Sequence, residues 1–278
     1  MDNLEKNMRN NIETYKIYLK EQELAEETIK IYLRYAKIIN AYLLKFGFSK
    51  QTVLKYKKEL VSKKLSPATI NLAIISVNKY LKYCGYGEYV VKTQRIQNRK
   101  SLENVISIAE YKQMLKTARE TGKVKYYYII KTLAQTGIRV SELQYFTVEI
   151  LEKKKILVNN KGKIREIFLP DSLISELYSY CKIAGIKSGV IFKGNTERPI
   201  GRASVYKMLV RIGVDAGLPK EKIYPHSFRH LFAVTYMNCY GNLAELADIL
   251  GHSNLETTRI YTLSTAEEKR KRMDNLGL

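Results

Sequence analysis

Cysteine, proline and histidine are all scarce in this 278-residue chain. The three cysteines, Cys84, Cys181 and Cys239, lie far apart with no CxxC pair, which argues against a disulfide framework and reads as reduced, mostly packed thiols. No N-terminal apolar h-region is present, and no run approaches the ~18 apolar residues of a membrane span. A cytoplasmic protein without a membrane partner is therefore expected. Acidic residues are also in short supply: 27 Asp and Glu face 48 Lys and Arg, a formal net charge of +21. Twenty basic residues stand against nine acidic ones up to residue 100, and twenty-eight against eighteen beyond it, so both halves are basic. Such a charge fits a polyanion held by two domains and points to nucleic acid. With 45% hydrophobic content the chain can bury one large core or two smaller ones, which argues against disorder. Neither an internal repeat nor a low-complexity tract is found.

The first ninety residues have a helical pattern. Ile29, Tyr32, Leu33, Ala36, Ile39 and Leu43 recur at steps of three and four, which places a helix over 26–46. Ser66-Pro67 is a helix start, and Ile70, Ile74, Val77 and Leu81 form its stripe up to about Gly85. Shorter helices fit 9–20 and 49–63, giving a four-helix, all-α module. Between Tyr89 and Glu103 the period fails and the chain turns polar and basic, as in a linker. Beyond it, helices are expected over 108–121 and 124–135, with Gly137 as a stop and Ser141 with Gln144 as a capping box for the next helix. KILVN (155–159) and IREIFLP (164–170) read as two strands around a turn at Asn160-Lys161-Gly162-Lys163. Helices resume over 171–184, 201–216, 225–239, 242–250 and 254–261.

All three histidines, His226, His230 and His252, fall near the C-terminus. On a helix opened by Pro225, His226 shares a face with Arg229 and His230. One reading is a metal site with His252 or Cys239 as third ligand. Against it, Ser227 stands where HExxH needs Glu, and Arg229 repels a dication. The other reading is oxyanion chemistry, for which a guanidinium and an imidazole supply N–H donors. LGHSNLETTRIYT ends one helix at Leu250, turns at Gly251 and restarts with Ser253 and Glu256 as a capping box, placing His252 beside a helix that carries Tyr261.

TGIRVSEL (136–143), the hairpin lysine Lys161, HSFR (226–229), LGHS (250–253) and Tyr261 together resemble, in order and local wording, the tyrosine recombinase (phage integrase) family. The resemblance runs over the whole length. It implies a mainly α fold with a small β-hairpin, α+β in class. A four-helix core-binding (SAM-like) domain would span 1–91, a basic linker 92–103 and the catalytic domain 104–278. Arg139 and Arg229 would be the clamping arginines, Lys161 the hairpin lysine, His226 and His252 the two histidines, and Tyr261 the nucleophile. Glu142 would orient Arg139, and His230 is left as a packing residue. Taken singly, Arg139 with Glu142 reads as an i, i+3 surface pair, Lys161 as a turn lysine and His252 as part of a capping turn.

The implied activity is site-specific DNA recombination through a 3′-phosphotyrosine, in integration and excision or in dimer resolution. It needs no metal or cofactor. The implied partners are double-stranded DNA, a tetramer on paired sites, and a related recombinase subunit or accessory protein. The helical pattern begins near residue 10, which fits a two-domain enzyme without an arm-binding domain. From Thr262 onward a short helix docking on a neighbouring subunit, or a basic tail, is expected. Two other readings share the fold: a DNA-binding protein without catalysis, and a relaxing enzyme like the type IB topoisomerases. A phenol of ordinary pKa about 10 lies three units from neutrality, about 4 kcal/mol, so the chemistry requires a group that takes its proton. His226 is the candidate base and Lys161 the candidate acid.

Overall fold

The computed structural model describes residues 2–95, 104–160, 163–194, 197–251, 255–262, 270 and 273–275. It divides into two compact units, Met1–Arg99 and Lys100–Leu278.

The first unit is built from α1 (Asp2–Glu21), α2 (Glu26–Phe46), α3 (Lys50–Ser62) and α4 (Pro67–Tyr83). Helix α1 starts well before residue 9, where the apolar pattern first becomes legible. Ser66 caps α4 by accepting from Thr69 N at 3.2 Å, with Pro67 in the first turn, a cap worth about 1 kcal/mol. On α2 the buried stripe is Ile29, Tyr35, Ala36, Ile39, Asn40 and Leu43; Tyr32 and Leu33 pack at its margin. Tyr15, Leu19, Ile74 and Leu81 complete the centre. The segment after α4 is laid along it on two asparagine rungs. Asn78 binds both backbone groups of Val91, at 2.8 and 3.0 Å, and Asn71 those of Gln94, at 2.9 and 2.7 Å. The stretch expected as linker thus begins as a strap on this unit, while 96–103 lie outside the described residues.

The second unit contains α5 (Ile108–Glu120), α6 (Val124–Thr136), α7 (Val148–Glu152), β1 (Lys155–Asn160), β2 (Lys163–Phe168), α8 (Asp171–Ile183), α9 (Arg202–Asp215), α10 (Pro225–Tyr240) and α11 (Leu243–Leu250). Strands β1 and β2 pair antiparallel from Lys155↔Phe168 to Asn160↔Lys163. Alternation buries Ile156, Val158 and Ile167 and leaves Leu157, Ile164 and Phe168 outside. The main core centres on Ile129, Leu133, Phe146, Leu177, Leu209 and Phe228. Ala233, Leu246, Leu250 and Tyr261 form a satellite cluster at the end of the chain. Among the described residues no helix is long and apolar enough to cross a membrane.

Two local expectations are corrected. The helix expected over 254–261 is not formed by its described part: over 255–262 two 3-10 turns, Leu255–Thr257 and Arg259–Thr262, carry i→i+3 bonds from Thr258 N to Leu255 O and from Tyr261 N to Thr258 O. Thr257, Thr258 and Ile260 are β-branched and weaken the α-helical alternative. The Ser141–Gln144 capping box is not used: a 3-10 helix begins at Val140, and the Glu142 carboxylate caps the Arg139 N–H. Helix α7, at five residues, is too short to show a period. The Ser253–Glu256 capping box and most of the segment after Thr262 fall outside what is described. Of the cysteines, Cys181 is buried, Cys84 half-buried and Cys239 exposed.

Candidate active site

The site starts where α6 stops. Gly137 takes the left-handed conformation (φ +61°), and a Cβ there would lie 2.5 Å from the Phe232 ring, so both backbone and space call for glycine. The chain then extends through Arg139 into the 3-10 helix Val140–Tyr145, which sets Glu142 beneath Arg139. Glu142 accepts from Arg139 N at 2.8 Å and from Arg139 Nη1 at 3.2 Å. It is 1% exposed, so the pair is not the surface pair that the spacing alone suggests. From β2, Arg165 reaches the same carboxylate, its Nη2 2.5 Å from Glu142 Oε2.

Three arginines grip three successive carbonyls at the end of α11. Arg165 Nη1 donates to Ile249 O at 2.5 Å, Arg229 Nη2 to Leu250 O at 2.5 Å, and Arg139 Nη2 to Gly251 O at 3.4 Å. Arg229 Nη1 also donates to Gly137 O at 2.8 Å, so this buried guanidinium joins the C-terminal ends of α6 and α11. Burial, followed by Arg139 and Arg165, pulls Arg229 down to about 9, which still leaves it charged at neutral pH. Arg165 is held below its ordinary value by burial against the opposing pull of Glu142.

His226 opens α10 behind Pro225 and lines a cleft of about 410 Å³ with Arg139, Ser141, Arg202 and Tyr206. Its ring keeps an exposed edge, yet partial desolvation and the charges of Arg229, Arg139 and Arg202 hold its pKa below the usual histidine value. Behind the arginines, Tyr261 sits in the satellite cluster with its hydroxyl 2.6 Å from His230 Nδ1. Burial pushes Tyr261 up to about 12, with Arg229 pulling the other way, which places the phenol within the electrostatic reach of that guanidinium. His230 is pushed down to about 4 by burial, His226 and Arg229, so both partners are neutral at pH 7.

Arg139, Glu142, His226, Arg229 and Tyr261, drawn from segments far apart in sequence, therefore meet in one place. Lys161 and His252 lie outside the described residues, between β1 and β2 and just past Gly251 respectively. Three residues that motif reading passed over belong here. Arg165 had a legible signal: it shares the inward parity of β2 with buried Ile167, an unusual place for a charge. Arg202 on α9 and the His230–Tyr261 contact depend on tertiary packing and carry no local sign.

Arginines gathered at the end of α11 and a buried phenol packed against that helix, on a mainly helical fold, fit a tyrosine-type strand transferase. The phage integrase family pattern matches residues 104–268. Tyrosine recombinase XerA of Pyrococcus furiosus is 26% identical over 99% of this chain and 96% of its own length. XerD of Staphylococcus aureus is 27% identical over 94% and 96%. The solved structure of the Tn1549 transposon integrase in complex with transposon right end DNA matches 96% of this chain and 99% of that one, with a TM-score of 0.74 at 19% identity. That last likeness concerns the fold. The chain belongs to the phage integrase family of tyrosine-type site-specific recombinases.

Proposed function

We propose that Tyr261 attacks a DNA phosphodiester in a cage formed by Arg139 and Arg229. The observation that carries this reading is the convergence of both guanidinium groups on the end of α11, with the phenol packed against that helix and acted on by Arg229. In the step, the phenolic O–H breaks, a phosphorus–oxygen bond to Tyr261 forms, and the bond to the 5′ oxygen breaks. A 3′-phosphotyrosine and a 5′-hydroxyl result. Because the phosphoester is retained, a second 5′-hydroxyl reverses the step without ATP. Arg139 and Arg229 stabilise the charge on the non-bridging oxygens, with His252 as a further donor. His226 serves as base or relay, Lys161 protonates the departing oxygen, and Glu142 holds Arg139. No metal or cofactor enters this step.

With Tyr261 at about 12, ionising it in advance at pH 7 costs roughly 7 kcal/mol, so proton loss accompanies attack rather than preceding it. The partner is double-stranded DNA in the cytoplasm, bound by residues 1–91 and 104–278 with 92–103 as linker. A tetramer on paired sites, of this chain alone or with a related subunit or accessory protein, supplies the four active sites that joining two duplexes requires. The test is covalent trapping on a nicked suicide substrate that carries a proven binding site. Wild-type protein yields a denaturant-resistant adduct and Tyr261→Phe yields none. An undiminished adduct from Tyr261→Phe refutes the assignment.

A further inference from the structure

His230 follows Arg229 on α10 and has no part in the step above. Its Nδ1 nevertheless lies 2.6 Å from the Tyr261 hydroxyl, with ring centroids 5.6 Å apart and planes tilted by 53°. On the other side the Tyr224 ring meets the imidazole edge-on at 6.5 Å, which limits its rotation. Around the phenol ring the packing is apolar: Ala233, Leu246, Leu250 and Ile260. Such neighbours confine the ring but do nothing to select a rotation about the Cζ–O bond. Among the described residues the Tyr261 hydroxyl has no other hydrogen-bond partner.

We propose that His230 is a positioning residue for strand transfer, its Nδ1 accepting the phenolic hydrogen of Tyr261 and so aiming the lone pairs of the nucleophilic oxygen before DNA binds. The inference rests on the reading of Tyr261 as nucleophile. A neutral imidazole is the right partner for this task. An imidazolium would have no acceptor nitrogen, and burial beside His226 and Arg229 keeps the ring uncharged. A protonated phenol has one hydrogen to give; held on His230 before DNA binds, it leaves only lone pairs to face phosphorus, and it passes to the base His226 as the phosphorus–oxygen bond forms. Misorientation of a reacting atom by about 1 Å costs on the order of 100-fold in rate, which sets the effect to look for.

The experiment measures covalent adduct formation in single turnover, with full-length protein saturating the suicide substrate, for wild type, His230→Leu and His230→Asn. His230→Leu lowers the rate about 100-fold while leaving DNA affinity near wild type. His230→Asn, whose Oδ1 falls close to the position of Nδ1, restores most of the loss. A second arm uses the Tyr261→Phe background with hydrogen peroxide as the external nucleophile, so that cleavage needs the arginine cage and not the phenol. Adding His230→Leu to that background leaves peroxide cleavage unchanged. An adduct rate unaffected by His230→Leu overturns the inference, as does peroxide cleavage that falls as far as the tyrosine reaction, since His230 would then act on the cage or the fold. An adduct from Tyr261→Phe overturns it together with the reading it rests on, and is recognised without any change at His230.

Discussion

Neutralising Glu142 is the sharpest perturbation of the site that leaves its shape alone. Its carboxylate is 1% exposed, accepts from Arg139 and Arg165, and is the carboxylate among the described residues whose charge acts on both Arg165 and Arg229. In Glu142→Gln one oxygen can still accept, while the new amide N–H group faces guanidinium donors. Removing one partner of a buried pair costs about 3–5 kcal/mol. The Arg139 side chain is 32% exposed and can turn to water, which places the expected loss near the lower end, about 3 kcal/mol. For a unit of this size that lowers the melting temperature by about 6–12 °C. Arg165→Met leaves the same carboxylate with Arg139 alone and Ile249 O without its donor, and is expected to cost a similar amount. The double variant removes both ends at once and should cost less than the two single losses together, by about 1.5 kcal/mol or more. Differential scanning calorimetry of the full chain reads all four proteins. Single shifts below about 2 °C, or a double variant additive within about 0.5 kcal/mol, would refute the argument that this carboxylate holds the cage together.

Gly251→Ala should be destabilising for two reasons at once, because φ is +63° and a Cβ would lie 2.4 Å from Arg165 Cδ, whose guanidinium is tied to Glu142 and Ile249. A loss of about 2 kcal/mol is expected, against about 1 kcal/mol for Gly241→Ala, where φ is +67° and nothing lies within 4 Å; equal losses in urea titrations would contradict the crowding argument. His226 and His230 both have folded pKa values below the unfolded value of about 6.5. The unfolded chain therefore binds more protons below that pH, and stability present above about 6.5 is lost as pH falls toward 5. Urea titrations at pH 7.5, 6 and 5 should show this slope, reduced in His230→Asn; a flat profile counts against the buried neutral ring.

Much of this architecture was legible because the local signals agree with each other. Ser66-Pro67, Gly137 and Pro225 punctuate helices that form where their apolar period places them, and alternation in 155–170 marks the hairpin. The strap at Val91–Gln94 could not be read, since its partners Asn71 and Asn78 sit on α4, far away in sequence. Nor could the 3-10 turns near Tyr261. The Ser253–Glu256 spacing suggests a helix, but the β-branched run works against it, and packing of Tyr261 into the satellite cluster decides the outcome. Motif order picked out Arg139 and Arg229 but said nothing of Arg165, although it holds the same carboxylate and the same α11 turn. Nothing local reveals that His230 meets a hydroxyl thirty-one residues away.

Gathering three guanidinium groups in one place opposes folding, and the structure offsets that with the negative ends of two helices in addition to Glu142. Gly137 O follows α6, while Ile249 O, Leu250 O and Gly251 O end α11, and each accepts from an arginine. Backbone carbonyls cannot swing aside, so Arg165 and Arg229 are fixed before any phosphate arrives, as electrostatic stabilisation of a transition state requires. Arg139 and Arg229 are not held alike, however. Arg229 is 3% exposed and bridges two helix ends at 2.8 and 2.5 Å, whereas the bond from Arg139 to Gly251 O is 3.4 Å long and its side chain is open to the cleft. Arg139 is thus the donor most easily redirected to a phosphate oxygen. Arg139→Lys should lower adduct formation by about 10²–10³-fold with little change in melting temperature. Arg229→Lys should lower both, because one ammonium cannot reproduce the two-pronged bridge between α6 and α11. Should the two variants lose stability equally, the division between a structural and a mobile clamp would be wrong.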